Sequence, residues 1–164
     1  MPIIKLDTLI KANRNIVFDL ARSIDLQSKF VTGSDEKAVA GRTTGLIELG
    51  ETVTYRGKHL GVRQNLTSRV TEFDRPHFFV DEMEKGAFKS LRHEHHFIAT
   101  EEGTIMKDVF DFKSPLGVLG KFANALFLKA YMTNFLKNRN KIIKEFAESG
   151  KWKEILPENM EYNS

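Results

Sequence analysis

The stretch Leu91-Arg92-His93-Glu94-His95-His96-Phe97 holds three of the chain's five histidines within four positions. Imidazole can ligate a metal, shuttle a proton near neutral pH, or orient a ligand from a pocket wall. On a strand, side chains two apart share a face, so His93 and His95 point together and His96 points away. A metal reading would add Asp81 or Asp108 as an oxygen ligand, two His and a carboxylate being a common non-haem iron set. Histidines at this spacing recur without metals and no metal motif surrounds them, so neither metal nor cofactor is expected. An acid–base reading makes His93 a proton shuttle and Asp108 its orienter, as a cyclase or dehydratase would need. The third reading is a mostly apolar wall with a few placed polar groups that orient a ligand.

The same parity gathers further polar groups on the inferred inner face. Leu91, His93, His95, Phe97 and Ala99 alternate with the more charged set Ser90, Arg92, Glu94, His96 and Ile98. On the next strand Thr104, Met106, Asp108, Phe110 and Phe112 form the more apolar set. Phe79, Asp81 and Met83, and earlier Val53, Tyr55 and His59, extend the wall. Buried charge is costly unless paired, so these groups are expected to meet one another or a ligand. His93 and Asp108 are the preferred pair, and the carboxylate is expected to raise the histidine's pKa.

These side chains need a sheet to hold them. Residues 3–10, IIKLDTLI, read as a first strand. Asn13 or Asn15 can cap a helix over 15–23, carried by Ile16, Val17, Leu20 and Ile24, and a second short helix runs from Leu26 to Phe30. Residues 32–45, rich in Thr, Gly, Ser and Asp, read as a loop. Five strand-like segments follow between Leu46 and Phe112, split by Gly61, Asp74-Arg75-Pro76, Lys85-Gly86 and Glu101-Glu102-Gly103, which argues for an antiparallel meander. Pro115 suits the first turn of a helix over 116–148, with Gly150 as its stop. Leu119, Phe122, Leu126, Met132 and Phe135 give that helix its apolar face, and Lys137, Arg139, Lys141 and Lys144 read as a solvated one. The predicted architecture is α+β: an antiparallel sheet of about six to seven strands curved around a long C-terminal helix.

The order strand, two helices, five strands, long helix resembles the helix-grip fold of the START-like or SRPBCC superfamily, which includes birch-pollen-allergen-like proteins. The strings GLIELGETVTYRGKHLGVRQNLTSRVTEFDRPHFFVDEM (45–83), GAFKSLRHEHHF (86–97), GTIMKDVFDFKSPLG (103–117) and RNKIIKEFAE (139–148) carry the resemblance to its bacterial branch, often labelled cell-division-inhibitor-like. It spans roughly residues 3–148; Leu91 departs from it, standing where that branch often has an aromatic. The resemblance implies a cavity between sheet and helix, and a ligand such as a lipid, sterol or polyketide.

Bulk composition narrows the rest. A chain of 164 residues fits one domain, here 1–150 with a C-terminal tail at 151–164, whose polar end, 157–164, is expected to fray. Thirteen phenylalanines against one tryptophan and three tyrosines suggest a wide apolar interior. Net charge is only +3, with no basic stripe, so nucleic acid is not an expected partner. There is no cysteine, which excludes disulfides, thiolate metal sites and a catalytic thiol. No apolar run is long enough to span a bilayer, and a cytoplasmic location is expected. The reading is therefore a domain that binds an apolar small molecule, with the enzyme as alternative; a homodimer stays open. The expected ligand-facing residues are Tyr55, His59, Phe79, Asp81, His93, His95, Phe97, Asp108, Phe110, Phe112 and Met132.

Overall fold

The computed structural model describes residues 2–29, 35–59, 61–114 and 121–162, without the side chains of 121–125. Its seven strands are β1 (Ile3–Ile10), β2 (Lys37–Gly41), β3 (Thr52–His59), β4 (Val62–Asp74), β5 (Phe78–Lys85), β6 (Ser90–Thr100) and β7 (Gly103–Lys113). They form one antiparallel sheet in the order β1-β7-β6-β5-β4-β3-β2. The first and last strands of the meander therefore sit apart, and β1 closes the free edge of β7. Register shifts between Ala38 and Ala40, Thr67 and Ser68, and Val70 and Glu72 mark bulges, which bend a sheet and sharpen its twist. Gly103 makes the turn into β7 at φ +139°, and a Cβ there would come 2.3 Å from the Ile10 carbonyl oxygen. Only glycine fits that position.

Three α-helices cover the concave face: α1 (Arg14–Ala21), α2 (Ile24–Gln27) and α3 (Lys121–Ser149). Asn13 caps α1 by accepting the Asn15 N–H at 2.7 Å, and Ser23 caps α2 through the Leu26 N–H at 3.2 Å. Phe18 of α1 meets Phe73, Phe79 and Phe97 edge-on, with ring centres 5.0–5.4 Å apart. That plug joins Ile143 and Ala147 of α3 in one solid core. A second cluster, Ile4, Leu91, Phe110, Phe112 and Leu136, packs at the other end of α3.

Five expectations are corrected. The supposed loop 32–45 contains β2, a short Ala/Val strand paired to β3, and the strand expected from Leu46 starts only at Thr52. Ile24 opens α2 rather than closing α1, and Phe30 lies outside the described residues. Leu126 is 73% exposed and does not pack; Leu119, the Pro115 helix start and the side chain of Phe122 lie outside the described residues. As far as Tyr162, the last described residue, the tail does not fray. Gly150, at φ +82°, ends α3 and leads into a 3₁₀ turn, Lys151–Glu154. Leu156 and Tyr162 are buried against the α1 core.

The tail is held by a buried carboxylate. Asp19 of α1 is fully buried and accepts from Arg22 at 2.7 Å, from Arg75 Nε at 3.0 Å and Nη2 at 2.7 Å, and from the Tyr162 hydroxyl at 2.9 Å. Tyr162→Phe keeps the ring and deletes one bond to a buried charge. Urea denaturation is expected to show a loss of about 1.5–3 kcal/mol with an unchanged slope.

Candidate functional site

β3, β4, β5, β6, β7 and α3 line a pocket of about 410 Å³. Both apolar clusters contribute to its wall: Val53 and Phe79 from one, Leu91, Phe110 and Leu136 from the other. The core is thus hollow between sheet and helix.

The polar part of the wall follows from strand register. His93 lies opposite Asp81 on β5 and Phe110 on β7; His95 lies opposite Phe79 and Asp108. Directly opposed residues share a face, so all four polar side chains point inward. Their short bonds run diagonally. His93 Nε2 meets Asp108 Oδ1 at 2.8 Å, and His95 Nε2 meets Asp81 Oδ2 at 2.7 Å. The crossing brings the two imidazoles together at 3.7 Å between ring centres, with Phe79 stacked on His95 at 4.2 Å.

Arg139 reaches this cluster from α3. It is 3% exposed, which corrects its expected place on a solvated face. Its Nη1 donates to Asp108 Oδ1 at 3.3 Å and Asn140 Oδ1 at 2.9 Å; its Nη2 donates to the Ala21 carbonyl at 3.5 Å. Nη2 also lies 3.2 Å from His95 Nδ1. A guanidinium can only donate, so Nδ1 accepts and the His95 Nε2–H donates to Asp81. His95 Nδ1 also lies 3.3 Å from Asp108 Oδ1, and both are held by the same guanidinium. Asn140 completes the shell, donating to Asp108 Oδ2 at 2.7 Å and to Thr8 Oγ1 at 3.2 Å.

Burial alone would protonate Asp108. The hydrogen bond from His93 and the Arg139 charge outweigh it and hold the carboxyl well below its ordinary range. Asp81 is lowered too, burial being outweighed by the His95 hydrogen bond. His93 moves opposite to expectation. Desolvation, then the neighbouring His95, pull its pKa down to about 4 against the opposing pull of Asp108. At neutral pH it is therefore an uncharged ring donating Nε2–H to Asp108.

Asp81, His93 and His95 also offer donor atoms within 4.8 Å of one another. Both Nε2 atoms are committed to carboxylates, however, and the Arg139 guanidinium opposes a cation beside His95. The set behaves as a hydrogen-bonded network, and metal ligation would have to dismantle it.

Of the expected ligand-facing residues, Tyr55, His59, Phe79, Asp81, His93, His95, Phe110 and Met132 line the pocket. Phe97, Asp108 and Phe112 do not: Phe97 packs on Phe18, Phe112 on Phe88, and Asp108 lies behind His93. The sequence reading missed Glu36, Tyr131 and Arg139. His59 Nδ1 meets the Tyr131 hydroxyl at 2.9 Å, and its Nε2 lies 3.4 Å from Glu36. Arg139 did leave a signal: it falls on the apolar stripe, seven residues after Met132 and four before Ile143.

No family model matches the sequence, and no curated protein matches it. Solved structures do. The protein of unknown function SA2116 from Staphylococcus aureus is 11% identical over 92% of this chain and 95% of its own, with a TM-score of 0.71. Ginseng major latex-like protein 151 from Panax ginseng is 13% identical over 89% and 97%, TM-score 0.62. Ara h 8.0201 is 11% identical over 90% and 98%, TM-score 0.62. The chain has the α+β helix-grip fold of the birch-pollen-allergen-like and major latex-like proteins. Among the described residues no helix is long and apolar enough to cross a membrane.

The pKa directions set a pH profile. His93 is depressed from 6.5 to about 4, so as pH falls below 6.5 the unfolded chain takes up that proton first. Stability is therefore lost between pH 6.5 and 4, on the order of 3 kcal/mol from this group alone. Asp81 and Asp108, also depressed, contribute above the ordinary carboxylate range and lose that contribution at still lower pH. Melting temperature measured from pH 7 to 4 is expected to fall, and His93→Gln to flatten the part of the slope above pH 4.

Proposed function

We propose that this domain binds an apolar small molecule, a lipid, polyketide or aromatic metabolite, in the pocket between sheet and α3. One observation carries the reading: a void of about 410 Å³ walled by Phe, Leu and Met, with a few fixed polar side chains turned into it. That is the composition of small-molecule sites. A packed domain of this size would close such a void, since lost contacts are costly. The ligand-facing residues in this reading are Tyr55, His59, Phe79, Asp81, His93, His95, Phe110 and Met132. Residues 1–150 form the binding unit, which works in the cytoplasm, and Phe97, Asp108 and Phe112 support the wall from behind.

Mass spectrometry under native conditions, on protein purified from its own host, is expected to show a bound mass that denaturation releases. Val53→Phe pushes a ring into the pocket. It is expected to abolish that mass while leaving the melting temperature within a few degrees or raising it, because the added ring fills space. A protein that never carries a ligand, and that no lipid or aromatic stabilises in a thermal-shift screen, would overturn the reading.

The two inward His–Asp pairs, one buried and one half-buried, support a second reading, a cyclase or dehydratase with His93 as proton shuttle and Asp108 as its orienter. Its mark is turnover of a bound polyketide that His93→Ala abolishes while binding survives. Equal loss of binding and turnover favours the binding module.

A further inference from the structure

The pocket's unused hydrogen-bonding capacity narrows the kind of molecule it holds; this rests on the reading that the pocket holds a ligand. Most polar groups on the wall are spent on one another. Arg139 is committed to Asp108, Asn140, Ala21 and His95. Arg22, the other arginine on the wall, is committed to Asp19, Glu48 and the Ile47 carbonyl. Both nitrogens of His95 are engaged.

One fully buried donor is left without a partner. The Tyr55 hydroxyl is buried, with the residue 9% exposed, and has no hydrogen-bond partner. A buried hydroxyl without a partner carries a desolvation cost, and a ligand atom would relieve it. Burial, then the negative charges of Glu36 and Asp81, hold this phenol well above its ordinary range, so it remains a donor at any physiological pH.

Ser68, Gln64 and Asn65 of β4 line the wall and can donate or accept, whereas the open capacity contributed by His93, Asp81 and Glu36 is acceptor only. His93 has turned Nε2 to Asp108, and its unprotonated Nδ1 has no partner among the described residues. Asp81 spends Oδ2 on His95 and keeps Oδ1. Glu36 Oε2 is buried, with no well-aligned bond; His59 Nε2 is 3.4 Å away. The wall thus sets one buried, unpartnered donor near several acceptors, with no uncommitted cation among the described residues.

We propose that the pocket selects apolar molecules bearing a hydroxyl, an alcohol or a phenol, whose oxygen accepts from Tyr55 and whose proton goes to a wall acceptor. A hydroxyl is the simple neutral group that gives and takes at one atom. A carboxylate could accept from Tyr55, but it would face Asp81 and Glu36 with both arginines already paired, and a buried anion without a counter-charge is strongly disfavoured. A bare hydrocarbon leaves Tyr55 unpartnered.

Four probes on one frame test this: 2-naphthalenemethanol, 2-methylnaphthalene, 2-naphthoate and 2-(aminomethyl)naphthalene. An apolar cavity of about 150 Å³ already admits benzene, so two fused rings fit here. Binding is measured by calorimetry at pH 7.5 on the full chain and on Tyr55→Phe. The alcohol is expected to bind about tenfold tighter than the hydrocarbon, the worth of one hydrogen bond to a buried group, with naphthoate weakest. Tyr55→Phe should bring the alcohol down to the hydrocarbon's affinity and leave the hydrocarbon unchanged. Naphthoate or the ammonium probe binding tighter than the alcohol overturns the selectivity. So does a preference for the alcohol that survives in Tyr55→Phe. Both results leave the pocket reading standing, whereas failure of all four probes, the hydrocarbon included, sinks the pocket reading and this inference together.

Discussion

The architecture turns on the carboxylate of Asp108, buried on β7 where water cannot reach it. A charge so placed needs a complete set of partners, and they come from three directions: His93 from the neighbouring strand, Arg139 and Asn140 from α3, and through Asn140 a tie to Thr8 on β1. These bonds fix where the long helix meets the sheet. Beyond them, toward the C-terminus, Ile143 and Ala147 pack into the solid core with α1. Before them, Met132, Phe135 and Leu136 face the pocket. Arg139 marks the border between the filled and the hollow half of the domain. An ion pair at that border holds the helix at a fixed height, which a purely apolar contact would not do, because apolar side chains slide toward closer packing.

The opposite end uses the same device. Asp19 gathers two arginines and a tyrosine, and so locks α1, the β4–β5 turn and the C-terminal segment together. With the filled half pinned at both ends, the pocket half beyond Arg139 need not be packed to keep its shape. The wall's polar groups work in the same direction. Collapse of Phe110 or Leu136 into the void would press apolar surface against Asp81, His93 and Tyr55, and leave those groups without water or ligand. The pocket is therefore a consequence of which residues line it.

Much of the fold was legible because its signals are local. Alternation on β6 and β7 placed His93, His95 and Asp108 on one face, and the turn residues marked the meander. What escaped had non-local causes. β2 is an Ala-Val-Ala segment with no turn of its own, and only its pairing to β3 makes it a strand. The tail looks polar, yet two residues, Leu156 and Tyr162, decide its fate. Parity along a strand says which face a side chain takes, but not what lies above it. For that reason Phe97 and Phe112 share the inner face with Phe110 and yet pack against protein. Arg139 was hidden by its own chemistry: charge argues for solvent, and position on the apolar stripe argued for the interior. The partner that decides between them, Asp108, sits 31 residues away.

The His93–Asp108 pair shows the same limit at the level of electrostatics. Adjacency of a carboxylate and an imidazole suggests a raised pKa, and geometry supplies the adjacency. Desolvation, together with the neighbouring His95, outweighs it. A neutral His93 suits a wall better than a charged one. It donates to Asp108 on one side and keeps an acceptor on the other, so the buried acid reaches the pocket only as a polarised imidazole. The charge that anchors the fold is thereby screened from whatever the pocket holds, and the same ring can serve both.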